Sequence, residues 1–353
     1  MTGQQVIFTN AVEQTLDQIV AQLKPHAVFT LTDNNTRREV LPRLQCAALQ
    51  TATHITIPAG EQNKSLDNLA SVWERLQQAG ATRQAMLINI GGGMVSDLGG
   101  LAASTFKRGI GFVNVPTTLL GAVDAAVGGK TAINFGGIKN EIGLFSEASH
   151  VIVSTRFFDT LPQREVLSGF AEMLKHALLD SHKEFLSLLN TNFGDIHTDT
   201  WLLRLEHSVQ VKRHIVVQDP HDNGVRRWLN AGHTVGHAFE SLAWSKNHDI
   251  THGYAMAWGL VTEMVLARII YKAFPGDDLQ RFASFVREHY GAFHITCDDY
   301  DNLLAFMRHD KKSLQGEINC TLLRDFGNAQ CDCQIPDEDM CAALDIYRDL
   351  MGI

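Results

Sequence analysis

Met86-Leu87-Ile88-Asn89-Ile90, running straight into Gly91-Gly92-Gly93-Met94-Val95-Ser96-Asp97, is the stretch on which the fold turns. A strand so continuously apolar has no wet face, so it belongs inside a parallel sheet covered on both sides. The glycines mark a tight turn into a helix of small residues, Leu98-Gly99-Gly100-Leu101-Ala102-Ala103. Glycine between a strand end and a helix start lets backbone N–H groups approach a phosphate, where the helix dipole favours negative charge. The same residues could form a bare strand-to-helix turn. The pattern is not GxGxxG, because Ser96 stands at the third glycine and no acid follows the next strand.

Upstream, Ala27-Val28-Phe29-Thr30-Leu31-Thr32 reads as a strand ending at Asp33, a carboxylate where a doubly wound sheet meets a ribose. Ile55-Thr56-Ile57 leads through a polar loop, residues 58–65, to an amphipathic helix over 66–78. That loop is either a connection or a nucleotide contact. Downstream, the strand 110–115 ends in Pro116-Thr117-Thr118, and Asp124, Gly128-Gly129-Lys130 and Lys139-Asn140 follow. Lysines in glycine-rich loops beside a nucleotide site read as an anion clamp.

After Val151-Ile152-Val153 the texture changes. A hinge-like connection at 155–162 precedes helical periodicity over 164–179, 200–218, 230–244, 253–272 and 278–289. The expectation is an α/β N-terminal nucleotide-binding domain with a Rossmann-like parallel sheet, residues 1–158, followed by an all-α C-terminal domain, residues 159–353.

The helical half holds the second decisive stretch, Leu229-Asn230-Ala231-Gly232-His233-Thr234-Val235-Gly236-His237-Ala238-Phe239-Glu240, with His252-Gly253 downstream and Gly169-Phe170-Ala171-Glu172-Met173-Leu174-Lys175-His176 upstream. His233 and His237 share one helix face, and three segments offer imidazole and carboxylate groups to one point. An imidazole pair plus one carboxylate leaves a fourth metal position open, the arrangement of a Lewis acid. No Glu follows His233, which excludes the HExxH of a metalloprotease. Lys175 lies one turn from Glu172, and His176, four residues on, is a rival ligand. Lys212, Arg226 and Asp310-Lys311-Lys312 add positive charge suited to a polyanionic substrate.

Bulk properties narrow the class. A net charge of −9 argues against nucleic acid or an anionic membrane as partner. Six cysteines without CxxC read as reduced thiols. Residues 1–10 carry no basic or apolar leader pattern, and the apolar run 255–267 is interrupted by Glu263, so a cytoplasmic protein is expected.

In this order, GGGMVSDLGG at 91–100, KRGIGFVNVPTTLL at 107–120, VDAAVGGKTAIN at 123–134, KNEIGLF at 139–145, GFAEMLKHALL at 169–179, RRWLNAGHTVGHAFES at 226–241, HGYAMAWGL at 252–260 and HDKK at 309–312 resemble the 3-dehydroquinate synthase family, within the sugar-phosphate cyclases. The resemblance runs from about Asp33 to Phe326. It implies a dehydroquinate synthase-like fold and conversion of 3-deoxy-D-arabino-heptulosonate 7-phosphate to 3-dehydroquinate and phosphate, a step of the shikimate pathway to aromatic amino acids. The implied route is transient oxidation by NAD, β-elimination of phosphate, re-reduction, ring opening and intramolecular aldol closure. The implied metal ligands are Glu172, His233 and His252, for Zn2+ or Co2+, with His237 one turn beyond His233 and near the proton transfer that runs through the substrate's own phosphate. The implied NAD contacts are Asp33, Glu61, Gln62, Asn63, Lys64, the turn Gly91, Gly92, Gly93, Met94, Val95, Ser96 and Asp97, then Thr117, Thr118, Lys130, Lys139, Phe157, Phe158, Asp159 and Thr160. Substrate would be held by Asp124, Lys130, Asn140, Lys175, Lys212, Arg226, Asn230, His237 and one of Lys311 or Lys312. Arg108 would reach the neighbouring site of a homodimer. Two departures stand out: residues 219–224 keep Asp219 and Gly224 without the glutamates that often follow the Asp, and Ala231 replaces a larger residue. Another sugar-phosphate cyclase acting on a different sugar phosphate is the alternative.

Overall fold

Strands in the N-terminal part are short and apolar, and helices alternate with them: β1 (Gln5–Phe8), β2 (Val28–Asp33), β3 (Thr53–Ile57), β4 (Met86–Gly91), β5 (Gly111–Pro116), β6 (Lys130–Phe135), β7 (Ile138–Phe145) and β8 (His150–Val153). The computed structural model describes residues 3–309 and 317–353. Six of these strands form one parallel sheet in the order β1-β8-β5-β4-β2-β3. Central β4 is buried along its whole length, whereas edge strand β3 alternates between exposed and buried residues.

From β2 the chain steps outward to β3 and then returns to β4 on the other side of β2. That reversal is a topological switch point, where open α/β sheets bind ligands at the carboxyl ends of the strands. Asp33 and Gly91 are the last residues of the two strands that flank it. The helices here are α1 (Val12–Leu23), α2 (Asn34–Glu39), α3 (Ala47–Gln50), α4 (Leu66–Gln78) and α5 (Gly93–Thr105). Buried Asn89 on β4 donates to Asn114 Oδ1 of β5 at 2.9 Å, and a Cβ on Gly99 of α5 would fall 2.0 Å from Asn89 Oδ1. The small residues of α5 therefore let that helix lie directly on the sheet. The β6–β7 pair is a separate antiparallel ribbon. It corrects the expectation of glycine-rich loops there: Lys130, Lys139 and Asn140 stand on strands.

The chain divides into two compact units, residues 1–162 with 193–209 and residues 163–192 with 210–353. The second contains α6 (Gln163–Leu178), α7 (His182–Leu189), the latter part of α8 (Asp199–Gln218), α9 (His233–Ser245), α10 (His252–Tyr271), α11 (Gly276–Tyr290), α12 (Tyr300–Arg308) and α13 (Asp337–Met351). An antiparallel hairpin, β9 (Ile318–Asp325) and β10 (Asn328–Ile335), is added to the expected helices.

Helix α10 is the centre of this unit, packed by α6, α9, α11 and α13 and buried without a break over 255–267. A helix apolar all round is a core helix. By length and composition α10 is able to cross a membrane, but 78% of its most apolar window is buried inside the protein. Helix α9 starts at His233 rather than at residue 230, because Gly232 adopts φ +80° and breaks the run; Asn230 closes a short 3-10 turn, Val225–Asn230. Lys311 and Lys312 lie outside the described residues.

Candidate metal centre and nucleotide-binding edge

Three helices of the second unit bring the metal-ligand candidates together. Glu172 sits in the middle of α6, while His233 and His252 are the first residues of α9 and α10. A Cβ on Gly253 would lie 1.9 Å from Ser168 O, and the Gly253 N–H donates to Ser168 Oγ at 3.1 Å. Only glycine allows the start of α10 to touch the backbone of α6 one turn before Glu172.

His233 Nε2 lies 3.9 Å and His252 Nε2 3.8 Å from Glu172 Oε1. These distances exceed a hydrogen bond. Glu172 is fully buried, and its Oε1 has no hydrogen-bond partner among the described residues. Its Oε2 accepts from the Lys175 ammonium. The far side of each imidazole is also fixed: His233 Nδ1 lies 3.2 Å from Ala231 O, and His252 Nδ1 lies 3.4 Å from Glu240 Oε2. A carbonyl or a carboxylate only accepts, so both Nδ1 atoms carry the proton and both Nε2 atoms present lone pairs. Two imidazole lone pairs and an orphaned carboxylate oxygen, all within 4.8 Å of one another, fit one divalent cation with an open position.

His237, one turn along α9, is not in that trio, although its ring centroid is 5.4 Å from that of His233. It forms a second cluster within 4.8 Å with Glu240 and His252. His176 is fully buried in α6 and lies outside both of these clusters, though one of its ring nitrogens is within 4.8 Å of a Glu172 carboxylate oxygen. Glu240 was not singled out in the sequence, though its place three residues after His237 and seven after His233 on one helix stripe was the signal available.

Lys175, Lys212 and Arg226 are all buried cations of this unit. The Arg226 backbone is held by Asp219, whose carboxylate accepts from the N–H groups of Asn223 at 3.0 Å, Gly224 at 2.6 Å and Arg226 at 3.1 Å. Burial pushes the Asp219 carboxyl up, but these N–H groups outweigh it and hold it below the usual range. Arg226 Nη1 donates to Pro220 O at 2.6 Å. Asp222, in the segment that departs from the family pattern, takes φ +61°, a conformation aspartate tolerates. Asn230 Nδ2 is buried without a hydrogen-bond partner among the described residues.

In the first unit, Asp33 ends β2 and caps α2: its Oδ1 accepts from Thr36 N at 2.8 Å and Thr36 Oγ1 at 3.1 Å. Gly92, the N-cap of α5, supplies no side-chain cap, which leaves this helix start suited to an anion. Met94 is half-buried, and Val95 and Ser96 are buried in the first turns of α5. Thr117 N donates to Gly91 O at 2.9 Å, and Thr118 Oγ1 accepts from Gly121 N at 3.0 Å.

Lys64 links three of the candidates: it is buried, lies 2.5 Å from Asp97 Oδ2 and also donates to Asn140 Oδ1. Burial alone would pull the lysine down, but the charges of Asp97 and Glu61 outweigh it and hold its pKa above the ordinary value. Glu61, Gln62 and Asn63 form the short turn before it, with Glu61 Oε1 accepting from Asn134 Nδ2 at 3.0 Å. Asp124 sits in the π-turn Gly121–Ala125, and Lys130 and Lys139 are exposed on the ribbon. Phe157 and Phe158 are buried, while Asp159 and Thr160 are exposed. Arg108 is exposed and, with Lys107, takes a left-handed backbone, φ +68° and +50°.

The chain thus combines a parallel six-stranded sheet of the nucleotide-binding kind with a helical unit in which three candidate metal donors gather. The fold is similar to a 2-epi-5-epi-valiolone synthase from Streptomyces hygroscopicus solved with NAD+ and Zn2+ bound, with a TM-score of 0.85 at 24% identity, covering 98% of this chain and 97% of that one. It is also similar to a 2-deoxy-scyllo-inosose synthase complexed with carbaglucose-6-phosphate, NAD+ and Co2+, with a TM-score of 0.79 at 21% identity, over 98% and 96% of the two chains. Residues 54–168 match the 3-dehydroquinate synthase N-terminal family and residues 169–313 the 3-dehydroquinate synthase C-terminal family. A 3-dehydroquinate synthase from Parabacteroides distasonis is 40% identical over 354 residues, covering 100% of both chains. The chain belongs to the 3-dehydroquinate synthase family.

Proposed function

We infer that the chain carries the activity of its family and converts 3-deoxy-D-arabino-heptulosonate 7-phosphate to 3-dehydroquinate and phosphate, as a phosphate-eliminating lyase. The observation that carries this reading is the gathering of His233 Nε2 and His252 Nε2 on the orphaned Oε1 of Glu172, beside buried Lys175. Zn2+ or Co2+ would be held by Glu172, His233 and His252 and would supply Lewis acidity there. NAD would be held in the first unit by Asp33, the Gly91–Asp97 turn, Thr117, Thr118 and the Lys64 cluster, and would supply reversible hydride-acceptor chemistry there. Solved proteins of the same fold with NAD+ and Zn2+ or Co2+ support both assignments.

The chain's own residues then have separate tasks. Lys175 orients Glu172 through Oε2, so that Oε1 points to the histidines. His237, close to the metal ligands without belonging to their set, handles the proton beside the transient ketone, together with the substrate's own phosphate oxygens. Arg226, Lys212, Lys175 and Asn230 are assigned to the substrate's carboxylate and phosphate, and Asp124, Lys130 and Asn140 are further substrate contacts. Residues 1–158 serve as the NAD-binding domain and 159–353 as the metal- and substrate-binding domain. The protein works in the cytoplasm as a homodimer in which the exposed Arg108 completes the neighbouring subunit's site.

The test is phosphate release from the heptulosonate phosphate with catalytic NAD+, with and without a chelator, while NADH absorbance is followed. Many phosphates per NAD+, no net NADH and loss of turnover with chelator are expected. Stoichiometric NADH would mean a dehydrogenase. Turnover confined to another sugar phosphate would assign a different cyclase.

A further inference from the structure

We propose that Glu263 is a positioning residue for the metal ligand His233, acting through the peptide bond between Ala231 and Gly232; this rests on the metal centre read above. Glu263 is a buried carboxylate in the most apolar helix of the protein, three turns after His252 on α10. One oxygen accepts from Gly232 N at 2.5 Å and the other from Val235 N at 3.3 Å. The peptide whose N–H donates to Glu263 is the same one whose carbonyl, Ala231 O, accepts from His233 Nδ1 at 3.2 Å. Carboxylate, peptide, imidazole and metal position therefore form one line of hydrogen bonds. A charged acceptor on the N–H polarises the peptide, makes its carbonyl the better acceptor, and so fixes the tautomer and raises the basicity of the His233 Nε2 lone pair.

The local backbone explains why this group has to come from another helix. Position 232 is the N-cap of α9, where a Ser or Asp would normally satisfy the first N–H groups. Gly232 adopts φ +80°, and a Cβ there would meet Leu260 Cγ at 2.6 Å, so no side chain fits. One turn before Glu263, a Cβ on Gly259 would fall 2.1 Å from Gly232 O, so the two backbones touch. The start of α9 cannot cap itself, and α10 supplies the carboxylate at the point of contact. A buried carboxylate is costly unless bonded in this way.

The experiment compares wild type with Glu263→Gln, Glu263→Asp and a control, Val286→Ala, which removes buried volume on α11, a helix that carries none of the proposed ligands. Zinc affinity is measured by competition with a chelating dye, and the visible absorption of the Co2+-loaded proteins is recorded. Glu263→Gln is expected to weaken zinc about 10-fold or more and to shift the Co2+ bands. Val286→Ala should lower the melting temperature of the metal-free protein with affinity unchanged. Should Glu263→Gln fail to fold, Glu263→Asp, which keeps the charge on a shorter arm, carries the same expectation in smaller measure. Zinc affinity within twofold of wild type in the folded Glu263 variant, or equal losses in it and Val286→Ala, overturns the inference. A wild type that binds no metal overturns the reading of the centre itself.

Discussion

His237 is one helical turn from His233, a proposed metal ligand, yet outside the trio of donors around Glu172 Oε1. His237→Ala should therefore retain its full metal content while kcat falls roughly 10²- to 10⁴-fold, the usual worth of a positioned proton carrier. Metal analysis and steady-state kinetics on the same preparation check both halves; lost metal would make His237 a ligand. At this scale much was legible in the chain, because HxxxH and Glu172-x-x-Lys175 advertise shared helix faces. Glu263 was not. It looked like a mere interruption of an apolar run, because its partners are backbone N–H groups, which leave no mark in a sequence.

Where one helix meets another, glycine decides the distance between the ligands they carry. Gly253→Ala would drive a methyl group into Ser168 O, which is backbone and cannot swing aside. Chemical denaturation should show a loss of about 3 kcal/mol, accompanied by weaker metal binding as His252 is pushed from Glu172. The turn before α12 makes a different prediction. Burial pushes the Asp299 carboxyl up, but bonds from Lys246, at 2.6 Å, and Thr296 N, at 2.9 Å, hold it below its ordinary 3.8. Its stabilisation is complete above pH 3.8 and disappears as the pH falls through the lowered value. Asp299→Asn should cost about 1 kcal/mol at pH 7, since Lys246 is partly exposed, and melting curves of the two proteins should converge as the pH drops below 3.8. Strand β4 could be read from its unbroken apolar run. The ribbon β6–β7 could not, since the glycines at 128, 129, 136 and 137 imitate loops, and neither could the start of α9, since the left-handed turn at Gly232 is a choice of φ.

Across the whole molecule, the order of strand and helix types was legible because periodicity changes after β8. Residues 193–209 nonetheless fold with the first unit although they lie beyond the apparent hinge, a long-range grouping that no local pattern encodes. If Arg108 completes a neighbouring site, Arg108→Ala and His237→Ala should each be nearly inactive alone. Mixed, unfolded and refolded together, they should recover roughly a quarter of wild-type turnover, because half the dimers are hybrids and each hybrid has one intact site. No recovery would confine Arg108 to its own subunit. If Glu172, His233 and His252 hold the ion, all three ligands come from the second unit. Scarcity of the ion would then silence this catalyst without dismantling it. A cell starved of zinc would hold a dormant reserve, restored on resupply with no new synthesis, and chelated enzyme given zinc should regain turnover within the time of mixing.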